Sequence, residues 1–342
     1  GVYGFVCAGG GSIGVLLGGL LTSALNWHWI FLVNIPIGAL VFALCVRLLP
    51  GGSGHAAGGK LDVAGAVTVT LGMMLAVYAV AGGTELGWTS PRTLGLLAAA
   101  VVSLCMFLAI EARVREPLMP LGLFRLRNVA TANVVGVLWA AAMSAWFFLS
   151  ALYMQLVLGY GPMQVGLAFL PANLIMAAFS LGLSAKIVMR FGIRGPLAIG
   201  LLPAAAGLAS FAMAPVDGTF VVHVLPGMLL LGIGAGLAFN PVLLAAMSDV
   251  SPADSGLASG LVNTSFMMGG ALGLAVLASL AAARTSSVAA TGAATVDAIN
   301  AGYHLAFVLG AACAAAAALI GWTVIRTRQT VEATNGDLAP AE

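Results

Sequence analysis

The sequence predicts an all-α polytopic membrane protein, and two features of its composition and one of its patterning lead to that class. Of its 342 residues, 61% are hydrophobic and only 7% are charged, whereas soluble domains are roughly a quarter charged. The mean hydropathy is +1.09, so the chain has too few polar side chains to cover a water-facing surface. The apolar residues also form long runs, which predict helices that span a lipid bilayer.

Ten apolar runs are long enough to cross the bilayer, since a span of about 30 Å takes about 20 residues. Cytoplasmic loops favour Lys and Arg, and with the first residue inside, 11 of the 13 Lys and Arg fall in inner connections. Both chain ends are therefore predicted to be cytoplasmic. The runs are predicted at residues 2–23, 29–48, 63–81, 94–110, 129–152, 166–188, 196–214, 220–239, 256–282 and 303–325.

The distribution of titratable residues argues against an enzyme. All 11 acidic residues fall in loops, at the ends of spans or in the tail, and the four histidines are scattered singly. A carboxylate at the centre of a bilayer costs about 2.5–3.5 kcal/mol, so one placed there would have indicated a function. The four cysteines form no CxxC pair, and a net charge of +2 gives no reason to expect nucleic acid as a partner. The sequence therefore predicts no catalytic set, no metal site and no bound cofactor.

Glycines in the first span predict close helix packing. Gly10, Gly14 and Gly18 are four residues apart on one helical face, and Gly19 is adjacent to them. Such spacing lets a second helix approach the backbone closely. By itself it indicates packing and not transport.

Polar residues inside spans are the candidates for a substrate pathway. In the fifth run Asn133, Ser144, Phe147 and Gln155 share one helical stripe, which should face protein or a cavity. Each polar residue has two interpretations: a hydrogen bond between helices, worth about 0.6 kcal/mol, or a contact with substrate. The full candidate set is Asn133, Ser144, Phe147, Gln155, Asn173, Asn240, Asn263, Thr264 and Met267.

The segment NWHWIFLVNIPIG, residues 26–38, places an amide and a helix breaker inside the second run. Pro36 leaves the carbonyl of Leu32 without its helical donor and bends the helix. An unsatisfied carbonyl in hydrocarbon costs several kcal/mol, so this stretch should face protein or water. Asn34 is predicted to bond neighbouring backbone, with the preceding glycine-rich span as the favoured partner, and a joint between helices is preferred to a substrate contact.

These segments resemble the fourteen-span drug:proton antiporters of the major facilitator superfamily. Gly10, Gly14, Gly18 and Gly19 are similar to that family's motif GxxxGPxxGG, with Val15 in the place of the proline. The segment WHWIFLVNIPIG resembles the opening of the following span, and LDVAG with ELGWTSP resembles the hairpin that distinguishes fourteen-span members. The later segments YMQLVLGYGPMQVGLAFLPA and SGLASGLVNTSFMMGGALGLAV extend the resemblance over the whole chain.

The resemblance implies the major facilitator fold with ten of fourteen transmembrane helices present, and an N-terminally truncated chain. It divides the chain into the last two spans of a first bundle (1–50), a linker, hairpin and charged connector (51–128), a six-helix bundle (129–328) and a disordered tail (329–342). It also implies proton-coupled efflux of drugs, antibiotics or lipophilic and cationic molecules by alternating access. The proton gradient would supply the energy, and the protein would be a monomer in a bacterial plasma membrane.

Two further expectations concern coupling and gating. The coupling carboxylate is expected in the absent spans, so the resemblance names no coupling residue here. In the inner loop KIVMRFGIR, Arg190, Gly192 and Arg194 match the family's gating loop, while Met189 replaces an acidic residue.

Several alternatives to broad drug efflux stay open at this point. One is a dedicated exporter of a single metabolite, and others are a membrane enzyme or a non-transporting scaffold. The chain by itself is expected to be inactive if four helices of the first bundle are missing.

Overall fold

The computed structural model describes residues 2–48, 62–114, 117–119, 121–251 and 254–326. The linker predicted at 51–60 and the tail predicted at 329–342 lie outside these residues. Each of the ten predicted runs is found as helix. The helices are α1 (Val2–Ala24), α2 (Trp29–Leu48), α3 (Val63–Leu86), α4 (Pro91–Glu111), α5 (Arg127–Val157), α6 (Pro162–Ala178), α7 (Ser184–Phe191), α8 (Arg194–Phe211), α9 (Phe220–Met247), α10 (Ser255–Ala289) and α11 (Thr295–Val324).

Eight of the described helices are long and apolar enough to cross a membrane, while Ile13–Ala24 of α1 and α6 are shorter apolar helices. The fold class predicted from composition is therefore confirmed. Helix α10 has 35 residues, about 52 Å at 1.5 Å per residue, so it extends beyond the hydrocarbon layer. The run predicted at 256–282 is shorter, because hydropathy identifies only the apolar part of this helix.

Wide turns interrupt the regular α-helical spacing in two of the predicted spans. The single span predicted at 166–188 is instead two helices, because a π turn at Phe179–Leu183 and a non-helical Gly182 separate α6 from α7. Helix α5 contains two further π turns, Ala145–Leu149 and Tyr153–Val157. Such turns carry an extra residue per turn, so they rotate the following side chains away from the regular helical stripe.

Helices α5 to α11 form the bundle that holds the main hydrophobic core. Its largest fully buried side chains include Trp139 and Trp146 of α5 and Phe211 and Phe307 of α8 and α11. The rings of Phe211 and Phe307 are 5.3 Å apart. Because lipid tails are as apolar as these side chains, the close fit of the helices has to stabilise the bundle.

Glycines provide that fit inside the bundle. A Cβ added to Gly269 of α10 would lie 2.5 Å from the Cα of Val137 in α5, and one on Gly236 of α9 would lie 2.6 Å from the Cβ of Phe179. Neither distance is possible for real atoms. The backbones of α10 and α9 therefore approach their neighbours as closely as they do only because these positions lack side chains.

Helices α3 and α4 form a hairpin beside α10. Within it, Ser103 donates to the carbonyl of Thr68 at 2.9 Å, and Ser279 of α10 donates to the carbonyl of Val80 at 3.1 Å. The charged connector that follows contains a short 3-10 helix, Leu121–Arg125, whose Leu123 packs against α10. The connector thus covers the same helix as the hairpin does.

Three arginines from predicted inner loops gather at one end of the bundle. Arg127 at the start of α5 donates to the carbonyl of Val324 at 3.0 Å, and the backbone N–H of Arg326 donates to Asn128 at 3.0 Å. Arg194 at the start of α8 stacks over the ring of Trp322, 4.6 Å from its centroid. The starts of α5 and α8 and the end of α11 therefore share one face, as alternating spans require.

Candidate functional site

A cavity of about 430 Å³ lies where α5, α9 and α10 meet, within the size range of small-molecule pockets. Because Gly260 has no side chain and a Cβ there would meet nothing within 4 Å, the wall formed by α10 is open at this point. The cavity provides a mostly apolar surface with a few polar groups. Its lining residues are Trp139 from α5, Phe239, Val242 and Leu243 from α9, and Ser259, Gly260, Val262, Asn263, Phe266 and Met267 from α10.

Aromatic and thioether side chains make the lining of the cavity apolar and adaptable in shape. The rings of Phe239 and Phe266 meet edge to face, with centroids 6.1 Å apart. Met267 is 62% exposed, and its flexible thioether can repack around ligands of different shape. Among the described residues that line the cavity, none carries a charge. Apolar contact and hydrogen bonding are therefore the forces that this surface offers a ligand.

Trp139 supplies a hydrogen-bond donor without a partner. Its side chain is only 1% exposed, yet its Nε1–H has no acceptor within reach. The neighbouring Trp146, equally buried, donates its Nε1–H to the Sδ of Met228 at 3.1 Å. Buried donors are nearly always satisfied, so the indole of Trp139 is an exception that calls for a cause.

Asn133 and Ser144, predicted in the pathway, join helices to one another. The amide of Asn133 donates to the carbonyl of Val129 at 2.8 Å and accepts from the hydroxyl of Ser265 in α10 at 2.8 Å. Ser144 donates to the carbonyl of Gly270 at 3.0 Å. All the bonds described for these two side chains connect α5 to itself or to α10, which is the interhelical interpretation that the sequence left open.

Phe147 and Gln155 leave the predicted stripe. Phe147 lies in the first π turn of α5 and stacks on Phe169 of α6, with centroids 5.6 Å apart, as part of the bundle core. Gln155 lies in the second π turn and is exposed. The extra residue in each wide turn breaks the 3.6-residue spacing on which the stripe was based.

The remaining pathway candidates lie in different places. Asn263 and Met267 line the cavity with Trp139, whereas Thr264 lines a second cavity of about 520 Å³ between α10 and the α3–α4 hairpin. Asn173 is buried in α6 with its Oδ1 unpartnered, and the Nδ2 of Asn240 in α9 is unpartnered too. Neither of these two amides lines the first cavity.

The glycine face of α1 is open in the described structure. A Cβ added to Gly10, Gly14 or Gly18 would meet nothing within 4 Å. Gly19 differs, because a Cβ there would lie 2.8 Å from the carbonyl oxygen of Pro162 at the start of α6. Gly19 is thus the member of the motif that makes a close contact, and the other three have open space beside them.

Asn34 and Pro36 lie at a break in α2. The helix runs over Trp29–Leu32, turns at Val33 and continues over Asn34–Leu48. The side-chain amide of Asn34 donates to the carbonyl of Ile30 at 2.9 Å, inside the same helix and not to α1 as the sequence favoured. Both residues are exposed, because α2 has little contact with the other described helices.

The three residues of the predicted gating loop sit between α7 and α8. Gly192 has a φ of +74° and ends α7, donating its N–H to the carbonyl of Val188 at 2.8 Å. Arg190 lies over the ring of Phe191 at 5.4 Å, and Arg194 over Trp322. The loop is therefore a glycine-ended turn whose arginines rest on aromatic rings.

The sequence did not single out most of the cavity lining, including Trp139 of α5, all three residues of α9 (Phe239, Val242 and Leu243), and Ser259 and Val262 of α10. Trp139 carried one signal that could have revealed it. Tryptophans of membrane proteins concentrate at the two interfaces, and Trp139 lies near the middle of α5. Phe239 and Val242 look like ordinary apolar residues of a span, and nothing in the sequence sets them apart.

Comparison with known proteins supplies the family. A sequence profile described as the Major Facilitator Superfamily matches residues 1–274. A puromycin resistance protein of Streptomyces alboniger is 34% identical over all of this chain and 69% of its own length. A cephamycin export protein of Amycolatopsis lactamdurans is 37% identical over 81% of this chain and 57% of its own length.

A tetracenomycin C resistance and export protein of Streptomyces glaucescens is 32% identical over 84% of this chain. The chain spans 53% of that relative's length, so it corresponds to between about half and two thirds of the relatives it matches. The match to the profile and to relatives above 30% identity agrees with the helical architecture. The chain belongs to the Major Facilitator Superfamily.

Proposed function

We propose that the protein exports antibiotics or related drug-like small molecules by proton antiport. The observation that carries the proposal is the cavity between α5, α9 and α10, which has the volume and the apolar, aromatic lining of a small-molecule site. Relatives over 30% identical are named for resistance to puromycin and for export of cephamycin and tetracenomycin C. A cavity of this kind suits molecules of that size.

Alternating access is the mechanism proposed for this export. Rocking of the bundle against α1 would change which side of the membrane the cavity faces. The contact between Gly19 of α1 and the start of α6 supports such movement. Helices that meet at glycines, without side chains between them, can slide past each other with little side-chain repacking. A Cβ on Gly166 of α6 would lie 3.2 Å from the carbonyl oxygen of Val15, so each helix contributes a glycine to this crossing.

The proposed setting is a bacterial plasma membrane, with both ends of the chain in the cytoplasm and the protein acting as a monomer. The positively charged end of the bundle, with Arg127, Arg194 and Arg326, would then face the cytoplasm. Protons moving inward would drive export. The carboxylate that carries them is not among the residues assigned to the cavity.

Transport by the full-length gene product in proteoliposomes tests this proposal. With an imposed proton gradient, we expect accumulation of several compounds from a panel containing puromycin, a cephamycin, tetracenomycin C and lipophilic cations. Collapse of the gradient by a protonophore should abolish it. Accumulation of no compound in the panel would refute the proposal, and accumulation that survives the protonophore would refute the proton coupling.

A dedicated exporter of one metabolite is the second candidate. The unpartnered Trp139 N–H favours it, because a single fixed donor can select one ligand geometry. Accumulation of one panel compound, with none of the others, would support this candidate over multidrug export.

A further inference from the structure

We infer that the cavity recognises neutral aromatic molecules bearing a carbonyl or similar hydrogen-bond acceptor, and that the Nε1–H of Trp139 is the donor for that acceptor. This inference rests on the proposed function, since it names the substrate class of the same cavity. It departs from the expectation that cations are among the preferred substrates.

The first step of the argument is the state of the indole. In the low-dielectric interior of a membrane protein, an N–H without an acceptor is costly, and a native structure retains it where something else can satisfy it. Trp146, in the same helix and equally buried, has the thioether of Met228 as its acceptor. Trp139 has no such partner, although it lines a cavity large enough for a ligand.

The second step concerns charge. A cation would find no carboxylate here, because the described residues of the lining include no acidic side chain, and only the faces of aromatic rings would be left to replace its water. Their polar groups are the indole of Trp139, the amide of Asn263 and the hydroxyl of Ser259. An uncharged ligand enters this surface without losing charge–water interactions, which the aromatic faces would replace only in part.

The third step concerns shape. Phe239 and Phe266 meet edge to face, and an aromatic ligand can stack on such rings or meet their edges. The indole nitrogen is closed to water in this conformation, so a ligand must displace neighbouring side chains to reach it. Met267 lines the same cavity and can move at little cost, because its thioether is flexible.

Binding of two matched probes to the purified full-length protein in detergent tests the inference. 9-Fluorenone is a flat aromatic ketone, and fluorene has the same rings without the oxygen. We expect wild-type protein to bind fluorenone more tightly than fluorene. Trp139→Phe keeps the aromatic bulk and removes the N–H, so it should weaken fluorenone binding about three- to tenfold, the worth of one hydrogen bond. Fluorene binding should stay within about twofold.

Trp146→Phe is the matched control, because it removes a buried indole N–H that already has an acceptor. Binding of both probes should stay within about twofold of wild type in this variant. Equal weakening of both probes by Trp139→Phe would overturn the inference. Tighter wild-type binding of the permanent cation tetraphenylphosphonium than of fluorenone would overturn it too.

A measurement on the wild-type protein covers the case in which Trp139→Phe fails to fold. With 15N-labelled tryptophan, the indole resonance of Trp139 should shift downfield when fluorenone is added and not when fluorene is added. An unchanged resonance under saturating fluorenone would overturn the inference. These experiments need no transport, so donor-dependent binding without export would refute the proposed function alone, and export without donor-dependent binding would refute this inference alone.

Discussion

The glycine faces of α1 and α10 have similar sequences and opposite surroundings. Gly269 and Gly273 of α10 lie against the backbone of α5, where an added Cβ would collide with Val137 or Ala141. Gly10 and Gly14 of α1, with the same spacing, have open space beside them. Small residues four apart thus show that a helix can be approached closely, and only the neighbouring surface decides whether it is approached.

The same contrast extends to whole regions. The bundle from α5 to α11 buries large aromatic side chains, whereas α2 has no buried residue and exposes an apolar surface along its whole length. Asn34 nevertheless satisfies its amide within α2. A single apolar helix can remain stable in lipid on such internal bonds, while the bundle depends on the fit between helices.

The largest expected difference between the glycine faces of α10 and α1 is in their response to replacement of glycine by alanine. Gly269→Ala forces a Cβ to 2.5 Å from the Cα of Val137, so it should destabilise the bundle by about 1–3 kcal/mol and lower the yield of folded protein. Gly14→Ala meets nothing and should be neutral or stabilising by up to about 1 kcal/mol. Thermal unfolding in detergent measures both, and equal losses would contradict the difference between the faces.

Asn34→Leu tests whether Asn34 acts through the structure of α2 or through contact with substrate. If Asn34 acts only through its hydrogen bond to the carbonyl of Ile30 at the break in α2, its replacement removes a bond worth about 1 kcal/mol. Export should then fall on the order of fivefold, and equally for every compound. Ile35→Leu, a neighbouring exposed and apolar position, should leave export unchanged. A loss confined to one compound would instead identify Asn34 as a substrate contact.

The smallest expected effect lies inside the bundle, at the bond between Asn133 and Ser265. Hydrogen bonds between membrane helices average about 0.6 kcal/mol, so a double-mutant cycle of Asn133→Ala and Ser265→Ala should give a coupling of that size. Unfolding in detergent or lipid supplies the four stabilities. Strictly additive losses would show that this contact adds nothing to the packing of α5 on α10.

The sequence predicted the helices well and their partners poorly. A run of apolar residues determines whether a segment enters the bilayer, so the ends of α3, α4 and α8 lie within about five residues of their predicted limits. The π turns of α5 moved Phe147 and Gln155 off the predicted stripe, since a wide turn depends on the packing around it. The importance of Trp139 depends on the absence of an acceptor in three dimensions, which no sequence pattern records.

Asn263 and Thr264 allow the most direct test that the α5–α9–α10 cavity binds the exported molecule. These adjacent residues of α10 are both exposed, but Asn263 lines that cavity and Thr264 lines the cavity beside the α3–α4 hairpin. In full-length protein whose native cysteines, including the four of this chain, are replaced by alanine, the rate of maleimide labelling would be measured for Asn263→Cys and Thr264→Cys in membrane vesicles. We predict that an exported compound slows labelling of Asn263→Cys and leaves that of Thr264→Cys unchanged. Protection of Thr264→Cys alone, or of neither residue, would contradict the assignment of this cavity as the binding site.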